Sequence, residues 1–327
     1  MHALRSAVLV FTLLGAIAPF AVRAQPVEQY PTRAVRLVVP FPAGGPTDIL
    51  SRVVGQRLSE VWGQPVVIEN QPGANTAIAA ARVAKLPGDG YTLLAVMDVT
   101  MVLNPITNKS LPYDPLHDFA PITLGSKNTS LLMVRADDGP ATVRELIARA
   151  KANPGKLNYG AGIITTRLAG YLFNREAGID AQYIPFNGSA PTVQGLLNGA
   201  VDYIVDGTAS SLPLIQSGKL RALAKLNSQP LPALPDVQPL AVAASLPALD
   251  DISTWIGFVA PKGTPRAIIE KIHHDIEVMY ADPVIAERLR NAGISAATST
   301  PEEFALFVRK ELDRWSSVFR DSGISLN

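Results

Sequence analysis

Three short stretches carry the residues best suited to binding chemistry. In VVPFPAGGPTDILSRVV, residues 38–54, an apolar run stops at Pro40; Phe41, Gly44, Gly45, Thr47 and Asp48 follow, and a helical pattern begins. In NYGAGIITTRLAG, Gly160-Ala-Gly162-Ile-Ile-Thr165 follows an apolar run, with Thr166 beside it. In IPFNGSAP, Asn187, Gly188 and Ser189 supply an amide, a bare backbone and a hydroxyl before another helical pattern. Glycine lets backbone approach a ligand closely. A helix start presents unpaired N–H groups and a positive dipole end, which suits an anion. With the hydroxyls of Thr165, Thr166 and Ser189, the chemistry is that of holding a small carboxylate. Thr47 or Asp48 can instead cap the first helix, and Thr165 and Thr166 the second. Asp206 closes the apolar run YIV; it either caps a helix beginning near Thr208 or accepts from a ligand N–H or ammonium.

Catalytic patterns are missing. There is no cysteine, so thiolate nucleophiles, thiolate metal sites and disulfides are excluded. Neither a G-x-S-x-G elbow nor a phosphate-binding G-x-x-x-x-G-K-[ST] loop occurs. The Gly160–Thr165 stretch falls one glycine short of a dinucleotide fingerprint, although Asp180 stands where a ribose-binding acid belongs. Beyond the N-terminal segment only His117, His273 and His274 remain, and adjacent helical histidines point to different faces and make no metal pair. No catalytic residue, metal or cofactor is expected. Basic and acidic residues number 29 and 28 with no basic stripe, so nucleic acid is not an expected partner.

These loops need a scaffold that aims them at one place. RAVRLVVP reads as a buried strand, and DILSRVVGQRLSEVWG as a helix with Leu50, Val54, Leu58 and Val61 on one face, ended by Gly63. QPVVIEN, ANTAIAAARVAKL and YTLLAVM continue as strand, helix and strand. A loop-rich stretch is expected around residues 104–122. TSLLMVRA, KLNYGAG, AQYIPF, AVDYIVD and LRALAKL then read as strands with helices between them. Proline crowds residues 230–247 as in a surface connection. STWIGFVAP is a further strand, and three helices follow at about residues 264–280, 282–291 and 301–321. Such alternation builds mostly parallel sheets flanked by helices, with the loops at the strands' carboxyl ends facing a cleft between two α/β units. Trp62, Trp255 and Trp315 are expected in the core.

The chain starts with MHALRSAVLVFTLLGAIAPFAVRA. This is a basic n-region, a short apolar stretch and a small-residue cleavage site after Ala24, the pattern of an export signal over residues 1–24. Cleavage removes Arg5 and Arg23, leaving 27 basic against 28 acidic residues. No second long apolar segment follows, so a soluble protein of a Gram-negative periplasm is the expectation.

In order along nearly the whole exported chain, YPTRAVRLVVPFPAGGPTDILSR, VVIENQPGANTAIAAARVAKLPGDGYTLL, YDPLHDFAPI, NPGKLNYGAG, GSAPTVQGLLNGAVD, SGKLRALA, LPDV and FVAPKGTP resemble the substrate-binding proteins of tripartite tricarboxylate transporters, also called Bug receptors. The resemblance implies a two-domain α/β periplasmic binding protein, a type II-like Venus flytrap. Residues 25–125 with 250–327 would form one domain and residues 126–249 the other. It implies a receptor that closes on a small carboxylate and hands it to integral-membrane transporter subunits; a monomer is the default for a receptor that must hinge. The loops matching 41–48, 161–166 and 185–190 would surround the ligand through amides, hydroxyls and water. The chain departs from the family pattern at Thr166-Arg167, usually serine then histidine, at Asn187, usually lysine, and at Val242 and Ala244. The first group bears on ligand choice; Val242 and Ala244 bear on a surface contact. A sensor subunit signalling to a membrane kinase, or a periplasmic enzyme, stands as the alternative.

Overall fold

The structure, a computed structural model, describes residues 29–186 and 188–322; the expected export signal of residues 1–24 and Asn187 lie outside the described residues. Val35–Val39 forms β1, whose Val35, Leu37, Val38 and Val39 are all buried, as befits a strand covered on both faces. Pro46–Trp62 follows as α1, with proline at its first position, where the missing N–H costs nothing. Its buried stripe is Leu50, Val53, Val54 and Leu58, while Val61 is half exposed, so the helix face is rotated from the one the sequence suggested. Gly63 ends it in a left-handed conformation.

The remaining strands are β2 Val66–Asn70, β3 Thr92–Met97, β4 Phe119–Arg135, β5 Leu157–Ala161, β6 Ala181–Pro185, β7 Tyr203–Gly207, β8 Leu220–Lys225 and β9 Ser253–Pro261. Between them lie α2 Ala77–Val83, α3 Asn104–Thr107, α4 Val143–Ala152, α5 Ile164–Ala177, α6 Ser189–Leu197, α7 Thr208–Gln216 and α8 Leu240–Ala244; α9 Arg266–Tyr280, α10 Pro283–Asn291 and α11 Pro301–Ser322 close the chain. The sheet order is β2-β1-β3-β9-β4-β7-β5-β6, with β8 also paired to β4. β1 pairs with β2 and β3 in parallel, and β5 with β6 and β7. β4 and β9 run antiparallel to their neighbours.

β4 departs most from the sequence reading. Only its second part, near Thr129, reads as a strand, yet it extends upstream to Phe119. Pro121 and Gly125 argue against a strand, and irregularities in the pairing near both residues accommodate them. The upstream part pairs with β9 as far as Thr129; from Ser130 onward β4 pairs with β7 and β8. One strand thus belongs to two sheet halves. Where it changes partner, buried Asn227 accepts from Thr129 Oγ1 at 2.8 Å and donates to Ser253 Oγ at 2.9 Å, tying β4 to β9.

Two other expectations change. The helix read from Ala74 begins at Ala77, because Ala74, Asn75 and Thr76 have positive φ. The proline-rich connection holds α8, whose Leu240 is buried. Trp255 and Trp315 are fully buried; Trp255 packs edge-on against Phe304 of α11 at 5.6 Å. Trp62 is only partly buried, and its indole N–H donates to Asp275 at 2.6 Å.

Candidate functional site

The carboxyl ends of β1, β2 and β3 belong to one sheet half, and those of β5, β6 and β7 to the other. At β1, the loop from Phe41 to Asp48 is organised by one carboxylate. Buried Asp48 accepts from Gly44 N at 2.8 Å, Arg52 Nε at 2.9 Å and Asn70 Nδ2 at 2.9 Å, while Asn70 Nδ2 also donates to Phe41 O. Burial works against the charge, but the bonds from Arg52, Gly44 and Asn70 outweigh it and hold this carboxyl below its usual range. Gly45 is the N-cap and makes no side-chain cap bond; Thr47 donates instead to Met97 Sδ at 3.2 Å. Neither Thr47 nor Asp48 is the cap. Gly44, at φ 90°, supplies the turn that brings its N–H onto Asp48.

At β5, Gly162 abuts Gly188, whose N–H donates to Gly162 O at 3.1 Å. A Cβ on Gly162 would overlap the Gly188 carbonyl, so two of the glycine loops are bound directly to each other. α5 begins beyond, with Ile163 at its N-cap and no side-chain cap. Thr166 donates to Ile163 O at 3.1 Å. Thr165, also buried, donates to Asp98 Oδ2 at 2.6 Å, a bond that joins the carboxyl end of β3 to the helix following β5. Asp98 also accepts from Val99 N at 2.8 Å, and burial pushes its carboxyl up.

At β6 and β7, Ser189 in the first turn of α6 donates to Asp206, and Ser210 of α7 lies 2.6 Å from the Ser189 hydroxyl. Asp206 is buried and its carboxyl is raised by that burial, although the hydrogen bonds oppose the rise. It caps neither helix: Gly207 is the N-cap of α7. Its visible role is to fix Ser189.

Arg167 lies with its guanidinium 4.6 Å from the centre of the Tyr183 ring, on a cavity with Tyr159, Tyr171 and Asp180. Asp180 precedes β6, at the amino end of the strand, whereas Gly160–Thr165 follows the carboxyl end of β5. A ribose-binding acid must share the loop's end of the sheet, so the dinucleotide pattern has no geometric basis.

Sequence reasoning missed two features. Asp98 carries the signal that drew attention to Asp206, an acid closing an apolar strand. The second is the loop after β2. Ala74, Asn75 and Thr76 have φ of 45°, 50° and 76°, rare for non-glycine residues and an outlier for a β-branched one. Buried Asn104 holds the turn by donating to Asn75 O at 2.7 Å, and Thr100 donates to Thr76 Oγ1 at 3.0 Å. This loop lines a cavity of about 510 Å³ with Val99, Asn104, Thr107 and, from the other sheet half, Ile164. A second cavity between the halves, about 560 Å³, is lined by Thr208, Leu212, Leu231, Arg290 and Ile294. Among the described residues no cluster of His, Asp or Glu is arranged to hold a metal, and no helix is long and apolar enough to cross a membrane.

A mixed α/β sheet with flanking helices and glycine–hydroxyl loops at opposed strand ends defines a protein of the periplasmic-binding class. Residues 50–324 match the tripartite tricarboxylate transporter family receptor, and the chain belongs to that family. It is 32% identical to protein BugT of Bordetella pertussis over 91% of this chain and 92% of BugT. Among solved structures it is similar to Rpa4515 of R. palustris with adipate, at 33% identity and a TM-score of 0.73, over 90% of this chain and 99% of the other. It is also similar to MatC of Rhodopseudomonas palustris with bound malate, at 31% identity and a TM-score of 0.67, over 88% of this chain and 99% of the other.

Proposed function

We propose that this protein is a periplasmic solute receptor that binds a small carboxylate between its two sheet halves and delivers it to a membrane transporter of the tripartite tricarboxylate type. The observation carrying this reading is the opposition of two sets of parallel-strand carboxyl ends, bridged where the Thr165 hydroxyl at the start of α5 meets a carboxylate. Uncharged donors at a helix N-terminus suit such a group. The relatives with adipate and malate point to dicarboxylates as the first ligands to try. Residues 25–125 with 250–327 act as one domain and residues 126–249 as the other, hinging where β4 changes partner near Thr129. Phe41, Gly44, Gly45, Gly162, Thr165, Thr166, Asn187, Gly188 and Ser189 form the binding surface, with Asp48 and Asp206 behind it. The protein acts by binding and turns over no substrate.

The test is calorimetric titration and thermal shift of protein purified from the periplasm, against dicarboxylates, tricarboxylates, aromatic acids and amino acids. Binding of one carboxylate class, with a melting shift that grows with ligand concentration, is the expected result. Folded protein, freed of carried-over ligand by refolding, that responds to none of these acids overturns it. Loss of uptake of that acid in a deletion strain assigns transport; intact uptake with lost gene induction assigns sensing instead.

A further inference from the structure

Thr165 has a single hydroxyl proton, and it is already committed. It is donated to Asp98 Oδ2 at 2.6 Å, with both residues more than nine-tenths buried. A hydroxyl donates one hydrogen bond only. Thr165 therefore cannot also donate to a second carboxylate while Asp98 holds it. The start of α5 offers no other side-chain hydroxyl to take its place, because Thr166 donates to Ile163 O. Asp98 itself sits at the carboxyl end of β3, fixed by Val99 N at 2.8 Å, and the bond to Thr165 spans the two sheet halves. Buried Glu311 of α11, itself hydrogen-bonded by Arg314, interacts electrostatically with Asp98.

We propose that Asp98 is an internal competitor for the ligand: its carboxylate occupies the Thr165 hydroxyl, and an incoming carboxylate must displace it to bind there. Asp98 is thus a residue that sets affinity without contacting the ligand in the bound state. It favours ligands whose carboxylate binds strongly enough to pull Thr165 away. This inference rests on the reading of the protein as a carboxylate receptor. Its consequence runs opposite to that of an ordinary contact residue, whose loss weakens binding.

The experiment is isothermal titration of malate and of adipate into the wild type and into Asp98→Ser, Asp98→Ala, Thr165→Ser and Thr165→Val. Serine at position 98 can still accept from Val99 N–H and guards against loss of the local fold; circular dichroism and melting check each variant. Removing the competing acceptor should tighten binding by about tenfold in both Asp98 variants. Thr165→Val should weaken it by a similar factor, and Thr165→Ser should restore it. In the double variant Asp98→Ser/Thr165→Val the gain from removing Asp98 should vanish. Folded Asp98 variants that bind as the wild type does, or more weakly, overturn the inference while leaving the receptor reading intact. Failure of the wild type and every variant to bind any acid of the wider panel overturns both.

Discussion

Ser189 in the first turn of α6 donates its hydroxyl to Asp206 at the end of β7, and Ser210 of α7 approaches the same hydroxyl at 2.6 Å. Two helices that follow different strands thus start from one buried carboxylate. Removing the acceptor leaves the half-buried Ser189 and Ser210 hydroxyls only each other as partners, so Asp206→Ala should cost about 1 kcal/mol in urea unfolding. Asp206→Asn keeps an acceptor and removes the buried charge. Because burial raises the Asp206 carboxyl, the native state holds its proton more tightly than the unfolded chain, and stability falls as pH rises through that window. Asp206→Asn should therefore match or exceed the wild type at pH 8. A large loss there would show that the charge itself is needed.

Asp48 should respond to pH in the opposite sense. Its carboxyl is held below the usual range, so the stability it contributes is present above the unfolded value and is lost as pH falls through the native one. Asp48→Ala removes the acceptor shared by Gly44, Arg52 and Asn70. At pH 7 it should cost roughly 1–3 kcal/mol, discounted for the half-exposed Arg52 partner, and the difference from wild type should shrink in acid. Denaturant melts at pH 7 and pH 3 check this.

Gly162 and Gly45 look alike in sequence and should behave differently. A methyl group on Gly162 meets the Gly188 carbonyl, which is backbone and cannot rotate away; on Gly45 the nearest atom is 4.0 Å off. Gly162→Ala should lower stability by about 1–3 kcal/mol and abolish carboxylate binding as the two loops part. Gly45→Ala, with φ at −80°, should fold as the wild type does. Equal melting temperatures for the two variants would contradict the close approach.

Much of this architecture was readable in advance, for identifiable reasons. Strands buried on both faces, such as Val35–Val39, and strand-to-helix loops rich in glycine announce themselves through composition. The loops holding Gly162 and Gly188 follow the paired parallel strands β5 and β6 and meet backbone to backbone, as neighbouring strand-to-helix loops can. What escaped depended on tertiary partners. The upstream part of β4 contains Pro121 and Gly125 and is a strand only because β9 pairs with it. Asp48 read as a cap or ligand group, yet its partner Asn70 lies on the neighbouring strand. The positive φ at Asn75 and Thr76 has no local signature, because Asn104 and Thr100 impose it from across the loop.

That imposed strain makes Asn104 the place to test the loop after β2. Its side-chain amide donates to Asn75 O at 2.7 Å and reaches Tyr113 Oη at 3.2 Å, while the Tyr113 hydroxyl donates to Thr100 O at 2.6 Å. Asn104→Ala removes the donor that holds Asn75 in its left-handed conformation. Residues 74–76 should relax toward negative φ, with a stability cost of about 1–2 kcal/mol. Amide hydrogen exchange should accelerate in residues 73–78 and stay unchanged in β5 and α6, which the network does not touch. The cavity wall moves with the loop, so dicarboxylate affinity should fall as well. Asn104→Asp keeps the size but replaces the donor with an acceptor facing the Asn75 carbonyl, and should be at least as damaging. Unchanged exchange in residues 73–78 of both variants would mean that the loop holds its conformation without Asn104.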